Sequence, residues 1–349
     1  PELRHAFSAL WSRRRARDES PWVVGWIGYE EAAKLAGELP IHGGEDSAPA
    51  GRFLVDPELA TEEGVVGNPA SMSAGGARWS LDGGRFRDGV ESIRERIASG
   101  DVYQVNLCRR LTVEDSDSLL GPFAAAAARG GEPEYLARFH FDSGELLCAS
   151  MELLLRRRKD ILETCPIKGT RPRSEIAEED RRLAEELASD PKERAELAMV
   201  IDLERNDLGR VSEIGSVEVV DPGSVRTYAS VHHLVGRVRG RARPDLEWWD
   251  VLAAMVPGGS VTGCPKHAAM SLIRDLEPVQ RGPFTGAFGV AAGNGDMEFA
   301  LPIRTAWQIG TTLEFAAGCG VVWDSVPEAE EKESLLKVAR WLDLVGCAG

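Results

Sequence analysis

Glu330, Glu333 and Lys337 occur at i, i+3 and i+7 and therefore share one face of any helix formed there. Two carboxylates on that face suit a hard cation, although acids near a helix N-terminus also complement the macrodipole and commonly stay solvated. Glu196 sits among Ala195, Leu197, Ala198 and Met199, and a carboxylate drawn into apolar surroundings needs a cation or an arginine beside it. Mg2+ fits such a set because it takes few carboxylates, keeps waters and bridges to anionic ligands. The chain has no Cys/His cluster at zinc spacing.

A second group is cationic. Cys165-Pro166-Ile167-Lys168-Gly169-Thr170-Arg171-Pro172-Arg173 reads as a strand end and loop that concentrates one lysine and two arginines in an acidic chain. The ordinary reading is a salt-bridging surface loop; the chemical one is an anion site. Nucleophilic use of Lys168 would require desolvation or cationic neighbours, for which Arg171, Arg173 and a metal are available. In Tyr228-Ala229-Ser230-Val231-His232-His233-Leu234, strand alternation puts His232 and His233 on opposite faces, so one of them can face a buried site. A lone buried histidine is more often a satisfied core residue. Arg304 falls in the apolar strand pattern Phe299 to Ala306, where its guanidinium needs a carboxylate from the protein or a ligand. Glycine-rich segments at Val256 to Ser260, Gly282 to Gly289 and Gly318 to Gly320 match no nucleotide-binding fingerprint and read first as turns. Their backbone N–H groups are also potential anion donors.

These residues sit in 349 residues with 41 basic and 56 acidic side chains, a net charge of −15. The length allows two domains or one large β-rich domain. At 43% hydrophobic and 28% charged, the composition is that of an ordinary globular protein. An acidic balance argues against nucleic acid and anionic membrane as partners. The longest uncharged run, Val251 to Pro265, is broken by Pro257 and three glycines and is too short to span a bilayer. Pro1 to Asp18 has five arginines but no apolar signal core, so the expected location is the cytoplasm. The six cysteines are scattered without a CxxC pair, as reduced thiols would be.

Periodicity supplies the framework. Strands are predicted over Trp22 to Tyr29, Val102 to Leu107, Leu136 to Phe141, Glu145 to Ala149, Leu153 to Cys165, Val217 to Val220, Val231 to Val238, Phe284 to Ala292, Phe299 to Ile309 and Thr311 to Trp323. Helices are predicted over Gly84 to Ser99, from Ser174 with a break at Asp190-Pro191, over Trp248 to Met255, over Lys266 to Leu276, and from Pro327 to about Leu344. The Gly/Pro/Ser-rich stretch Ile41 to Ala77 reads as irregular surface. Runs of strands interrupted by helix pairs predict an α+β layered domain with antiparallel sheets.

Taken together, PIKGTRPR (166 to 173), AELAMVIDLERNDLGRV (195 to 211), YASVHHL (228 to 234), PGGSVTGCPKHAAM (257 to 270), RGPFTGAFG (281 to 289), PIRTA (302 to 306), AGCGVVWDS (317 to 325) and PEAEEKESLLKV (327 to 338) resemble the chorismate-utilising enzymes in order and spacing. The resemblance implies an α+β fold of two large, mainly antiparallel sheets packed as a sandwich with helices outside. It also implies a chorismate-binding catalytic domain over residues 81–349. Residues 1–80 resemble a shortened version of the family's N-terminal portion within the same domain. The PIKGT form resembles the aminodeoxychorismate synthase component I branch, since branches resembling anthranilate synthase carry Ala at the Lys168 position. That implies Mg2+-dependent replacement of the chorismate C4 hydroxyl by ammonia, giving 4-amino-4-deoxychorismate, a precursor of p-aminobenzoate and folate.

By the same resemblance Lys168 is the nucleophile, Glu152 the general acid/base and His233 a supporting polar group. Glu196 and Glu333 are the implied Mg2+ ligands, with Glu330 binding a metal water. Arg304, Thr285, Gly286, Gly318, Cys319, Gly320, Tyr228 and Lys337 fall where the family grips substrate. Met151 departs from the family's Pro, and Cys319 and Lys332 from its small and acidic residues. No cysteine lies in a Gly-x-Cys-x-Gly elbow, so a glutamine amidotransferase partner is implied as the ammonia source. Anthranilate synthase, isochorismate synthase-like activity and a non-catalytic chorismate-binding regulatory subunit are the alternatives.

Overall fold

A computed structural model describes residues 22–35, 50–55, 75–114, 133–229 and 231–344. The arginine-rich stretch Pro1 to Asp18 lies outside these residues, as does much of Ile41 to Ala77. Among the described residues, strands numbered in chain order form two sheets. The nine-stranded sheet runs β10 (Glu218–Thr227), β11 (Val231–Arg241), β8 (Ile161–Cys165), β7 (Leu153–Arg158), β14 (Met297–Ala300), β13 (Ala287–Ala292), β1 (Trp22–Ile27), β2 (Gly51–Val55), with β9 (Ile167–Pro172) added against β11. The seven-stranded sheet runs β12 (Gly263–Cys264), β4 (Gln104–Glu114), β16 (Thr312–Val321), β15 (Thr305–Ile309), β6 (Gly144–Ser150), β5 (Tyr135–Phe141), with β3 (Gly75–Trp79) against β4. The pairings are antiparallel.

Alternation lets each strand present an apolar row to the facing sheet. Trp26, Phe288 and Ala300 from one sheet meet Cys108, Leu146, Cys148, Trp307 and Ala316 from the other. The Trp26 ring centroid lies 4.8 Å from that of Phe139. On the outside of the nine-stranded sheet, α3 (Ala177–Ser189), α4 (Pro191–Gly209) and α5 (Trp248–Met255) bury Leu187, Leu197, Ile201, Trp248 and Leu252 against Leu234 and Val238. The short α1 (Tyr29–Leu35) follows β1 directly. On the other outer face α2 (Gly83–Ala98) and α6 (Lys266–Leu276) bury Phe86, Val90, Ile93, Met270 and Ile273 against β4 and β16. Each such side chain contributes about 1.5–3 kcal/mol, so Phe86→Ala, which leaves a cavity, is expected to cost about 3–5 kcal/mol. The layered sandwich with outer helices is the arrangement expected from the sequence.

A buried polar hub ties the layers together. Arg281 donates to both Glu277 oxygens at 2.6 and 2.9 Å, to the Asn106 carbonyl at 2.7 Å and to the Val261 carbonyl at 2.8 Å. Its guanidinium lies over the Tyr29 ring, 4.5 Å from the centroid. Among the described residues no helix is long and apolar enough to cross a membrane.

Four sequence expectations change. Leu153 to Cys165 is a hairpin, β7 and β8, turned at Lys159 with φ +56°. Phe299 to Ile309 is two strands in different sheets. Pro302 cannot donate to a ladder, and the chain crosses between the sheets there, so Arg304, with φ +50°, lies outside any strand. Residues 166–173 largely form strand β9 rather than a loop, and the region read as irregular contains β2 and part of β3.

Candidate active site

Lys168 lies on β9, whose pairing with β11 shifts register between His233 and Leu234. Gly169 has φ +68°, and a Cβ there would come within 2.7 Å of Leu187 Cδ1 and 3.0 Å of Glu193 Oε2, so glycine is required. The Lys168 amine reaches the second sheet. There, a Cβ added to Gly320 of β16 would stand 3.2 Å from Lys168 Nζ and 3.1 Å from Gln104 Nε2. Gln104 is buried, and neither atom of its amide has a hydrogen-bond partner among the described residues.

Glu152 sits between β6 and β7, 6% exposed. Its Oε1 accepts from Ser260 Oγ at 2.6 Å. Burial pushes its pKa up to about 7, against the downward pull of the Ser260 bond and the Lys168 charge. Position between two strands fixes it: its carbonyl accepts from Leu301 N–H and its N–H donates to Ser150 Oγ.

His233 is also buried. Its Nδ1 lies 3.1 Å from the Gly169 carbonyl and 3.0 Å from Thr170 Oγ1. A carbonyl can only accept, so Nδ1 carries the proton, and Nε2 is left as a bare acceptor without a partner among the described residues. Burial, with the Arg304 charge adding to it, lowers the pKa to about 4, so the ring is neutral at pH 7. His232 is buried on the other face, its Nε2 2.9 Å from Asp180. Both histidines are therefore enclosed, which alternation alone does not foresee.

The acids converge from two helices. Burial raises Glu196 on α4, and repulsion from Glu330 and Glu333 on α7 (Pro327–Leu344) raises it further, while Lys168 and Lys192 lower it. Burial and the Glu333 charge raise Glu330, whose Oε1 accepts from Ser325 Oγ at 2.7 Å. Burial also works upward on Glu333, but the Lys337 ammonium at 2.7 Å brings it below the usual carboxylate range. Lys337 in turn donates to the Gly318 carbonyl at 2.8 Å. Ligand atoms of Cys319, Glu330 and Glu333 lie within 4.8 Å of one another. Burial pushes the Cys319 thiol up to about 12, and it points at the Glu330 carbonyl, so it stays protonated. Mutually repelling carboxylates without a thiolate fit an oxygen-preferring cation such as Mg2+.

The structure thus brings Lys168, Glu152, Glu196, Glu330, Glu333, Gly320 and Lys337 together, with His233 and Arg304 adjoining. Other expected residues are engaged by the protein itself. Thr285 is fully enclosed: its hydroxyl donates to the Phe284 carbonyl and accepts from Arg281, and its N–H donates to Pro302. Gly286 packs on β1, where a Cβ would meet the Ile27 carbonyl at 2.0 Å. The Tyr228 ring stands edge-on to His233 at 5.7 Å, but its hydroxyl turns to Glu134. Arg171 pairs with Asp190 and Glu186 at 2.8 and 3.1 Å, and Arg173 with Asp180 at 2.8 Å. Neutralised by α3 and its C-terminal cap, they do not supply the cationic surroundings considered for Lys168. Sequence reasoning missed Ser260, Gln104 and Glu193; the isolated Gln104 in the apolar run Val102 to Leu107 was the available signal.

A family model described as "chorismate binding enzyme" matches residues 58–343. The chain belongs to the chorismate-binding enzymes. It is 42% identical over 272 residues to aminodeoxychorismate synthase component 1 of Bacillus subtilis, covering 77% of this chain and 57% of that protein. It is also 42% identical over 319 residues to an anthranilate synthase component 1 of Haloarcula marismortui, covering 91% and 61%. The chain therefore spans about three fifths of these curated relatives. Among solved structures, anthranilate synthase component I from Streptococcus pneumoniae superposes with a TM-score of 0.78 at 29% identity, covering 93% of this chain and 80% of that one. An isochorismate synthase, DhbC, described as putative and 2,3-dihydroxybenzoate-specific, from Bacillus anthracis gives 0.77 at 26%, covering 98% and 88%.

Proposed function

We propose that this chain is an aminodeoxychorismate synthase component I, which replaces the C4 hydroxyl of chorismate by ammonia to give 4-amino-4-deoxychorismate. The observation that carries the reading is the Lys168 amine seated over Gly320, with its charge acting on Glu152. An amine at this point can add to the substrate ring, whereas the alanine of anthranilate synthase-like members cannot.

In the first step Lys168 Nζ, its ammonium proton released to solvent, bonds to C2 as the two conjugated ring double bonds both shift and the C4–O bond breaks. Glu152, held protonated near neutral pH by burial, gives its proton to the departing hydroxyl, which leaves as water. In the second step ammonia bonds to C4, the two double bonds shift back and the C2–N bond to Lys168 breaks, its electron pair leaving with the neutral amine. Glu152 takes the proton that the new ammonium releases, so the residue is acid and then base. One difficult displacement becomes two easier ones. The bare Nε2 of His233 can accept from a substrate hydroxyl. Glu196, Glu330 and Glu333 would hold Mg2+, which when bound neutralises a substrate carboxylate. Lys337, pinned to Gly318 and Glu333, adds positive charge beside them.

Ammonia is scarce as free base at neutral pH, so a glutamine amidotransferase subunit is the partner in this reading, and the cytoplasm its place. The test is product identification after incubation with chorismate, Mg2+ and ammonia. The expected product is 4-amino-4-deoxychorismate; anthranilate or isochorismate as the main product would overturn the assignment. Glu152→Ala is expected to abolish turnover, and unchanged turnover would favour a regulatory subunit.

A further inference from the structure

A cavity of about 360 Å3 lies on the reverse face of the strands that carry the candidate active site. In β11, Leu234 packs in the core beneath α4, and a Cβ at Gly236 would meet Ile201 at 2.6 Å. The alternate residues Val235, Arg237 and Arg239 face the cavity instead. Its apolar floor is the buried group Leu153, Cys165 and Val235, with Ile167 packed on it. Leu153 directly follows Glu152 and Ile167 directly precedes Lys168, so the floor and the groups proposed for catalysis are chain neighbours.

The wall is cationic. Arg156, Arg226, Arg237 and Arg239 face only two lining carboxylates, Glu134 and Glu163. Glu163 binds Arg239 at 2.6 Å and Arg156 at 3.2 Å, and Arg156 is further held by Glu298 at 2.8 Å. Arg237 comes no nearer to Glu163 than 4.0 Å, and its buried Nε has no hydrogen-bond partner among the described residues. Arg226 makes no ion pair within 4 Å among them; it hydrogen-bonds Tyr228 and has the Glu134 charge nearby. A buried guanidinium N–H without an acceptor is costly, and a carboxylate is its geometric complement. We infer that this cavity binds a small organic carboxylate with an apolar body, the carboxylate toward Arg226 and Arg237 and the body on Leu153, Ile167 and Val235.

The test is titration calorimetry of the full chain with benzoate and, separately, inorganic phosphate. Binding requires no turnover, so the result is independent of the proposed reaction. One benzoate per chain is expected, with phosphate clearly weaker. Arg226→Gln combined with Arg237→Gln should weaken benzoate at least about tenfold. Val235→Trp, which fills the floor and keeps the charges, should do the same, and it carries the test alone should the double variant fail to fold. Arg304→Gln, in the other cleft, should leave benzoate binding unchanged. The inference is overturned by absent benzoate binding or by phosphate binding as tight as benzoate. Binding that survives Val235→Trp but is lost in Arg304→Gln would also overturn it.

Discussion

Lys168 and Gly320 belong to different sheets, yet a single added Cβ at Gly320 would stand 3.2 Å from the Lys168 amine. The close approach of a charged head group to bare backbone fixes where that amine can act. A side chain at Gly320 would crowd both the Lys168 amine and the Gln104 amide.

Gly320→Ala should therefore displace Lys168 and Gln104 together without disturbing the core. The two flexible side-chain ends need give by only a few tenths of an ångström, and since ångström-scale misplacement costs about a hundredfold in rate, we expect kcat to fall by less than that, about tenfold, while the melting temperature moves little. Steady-state kinetics beside a thermal melt checks this; an unaltered kcat would show that Gly320 does not set the position of the Lys168 amine.

Glu152 has a folded-state pKa raised to about 7 by burial. Its contribution to stability is full below the unfolded carboxylate value and is lost as pH rises through about 7. Glu152→Gln should be more stable than the parent at pH 8, on the order of 3 kcal/mol, with the difference vanishing toward pH 4. Denaturant melts across that range measure it. Turnover by the parent chain should also fall above pH 7 as the acid ionises.

Neutral His233 has a depressed folded-state pKa of about 4. Its stability contribution is full above the unfolded histidine value of about 6.5 and is lost as pH falls toward 4. NMR titration should show one histidine that remains neutral at pH 5.5, absent from the spectrum of His233→Phe. A His233 signal titrating near 6.5 would contradict the buried, Gly169-bound geometry.

Glu196→Gln and Glu333→Gln each remove one carboxylate from the converging set. The Mg2+ concentration for half-maximal activity should rise about 10–100-fold in either variant, and chelation should silence the parent chain. Equal Mg2+ requirements in variant and parent would dismiss the cluster as a metal site.

Arg281→Ala leaves Glu277 buried without its partner. Breaking such a pair costs about 3–5 kcal/mol, to be read from urea midpoints. Glu277→Gln in the same background should recover part of the loss.

Most of the helices, many of the strands and the family were legible in the amino-acid order alone. Helix boundaries at Trp248–Met255 and Lys266–Leu276 match their apolar periodicity, and Asp190 caps α4 ahead of Pro191 as its local chemistry dictates. The resemblance to the family's motifs is enough to single out Lys168, Glu152, Glu196, Glu330 and Glu333. Local patterns suffice for such features because capping, periodicity and turn preferences act over a few residues. Which neighbours each side chain meets depends on how the two sheets and their helices pack. That packing paired Arg171 and Arg173 with acids of α3 and its cap, and enclosed Thr285 against Arg281. It also split Phe299 to Ile309 between two sheets, and set Ser260 on Glu152 and Gln104 beside Lys168. Charge and burial are sums over distant segments, so the pKa of Glu152 and the proton position on His233 exist only once the two sheets have closed on each other.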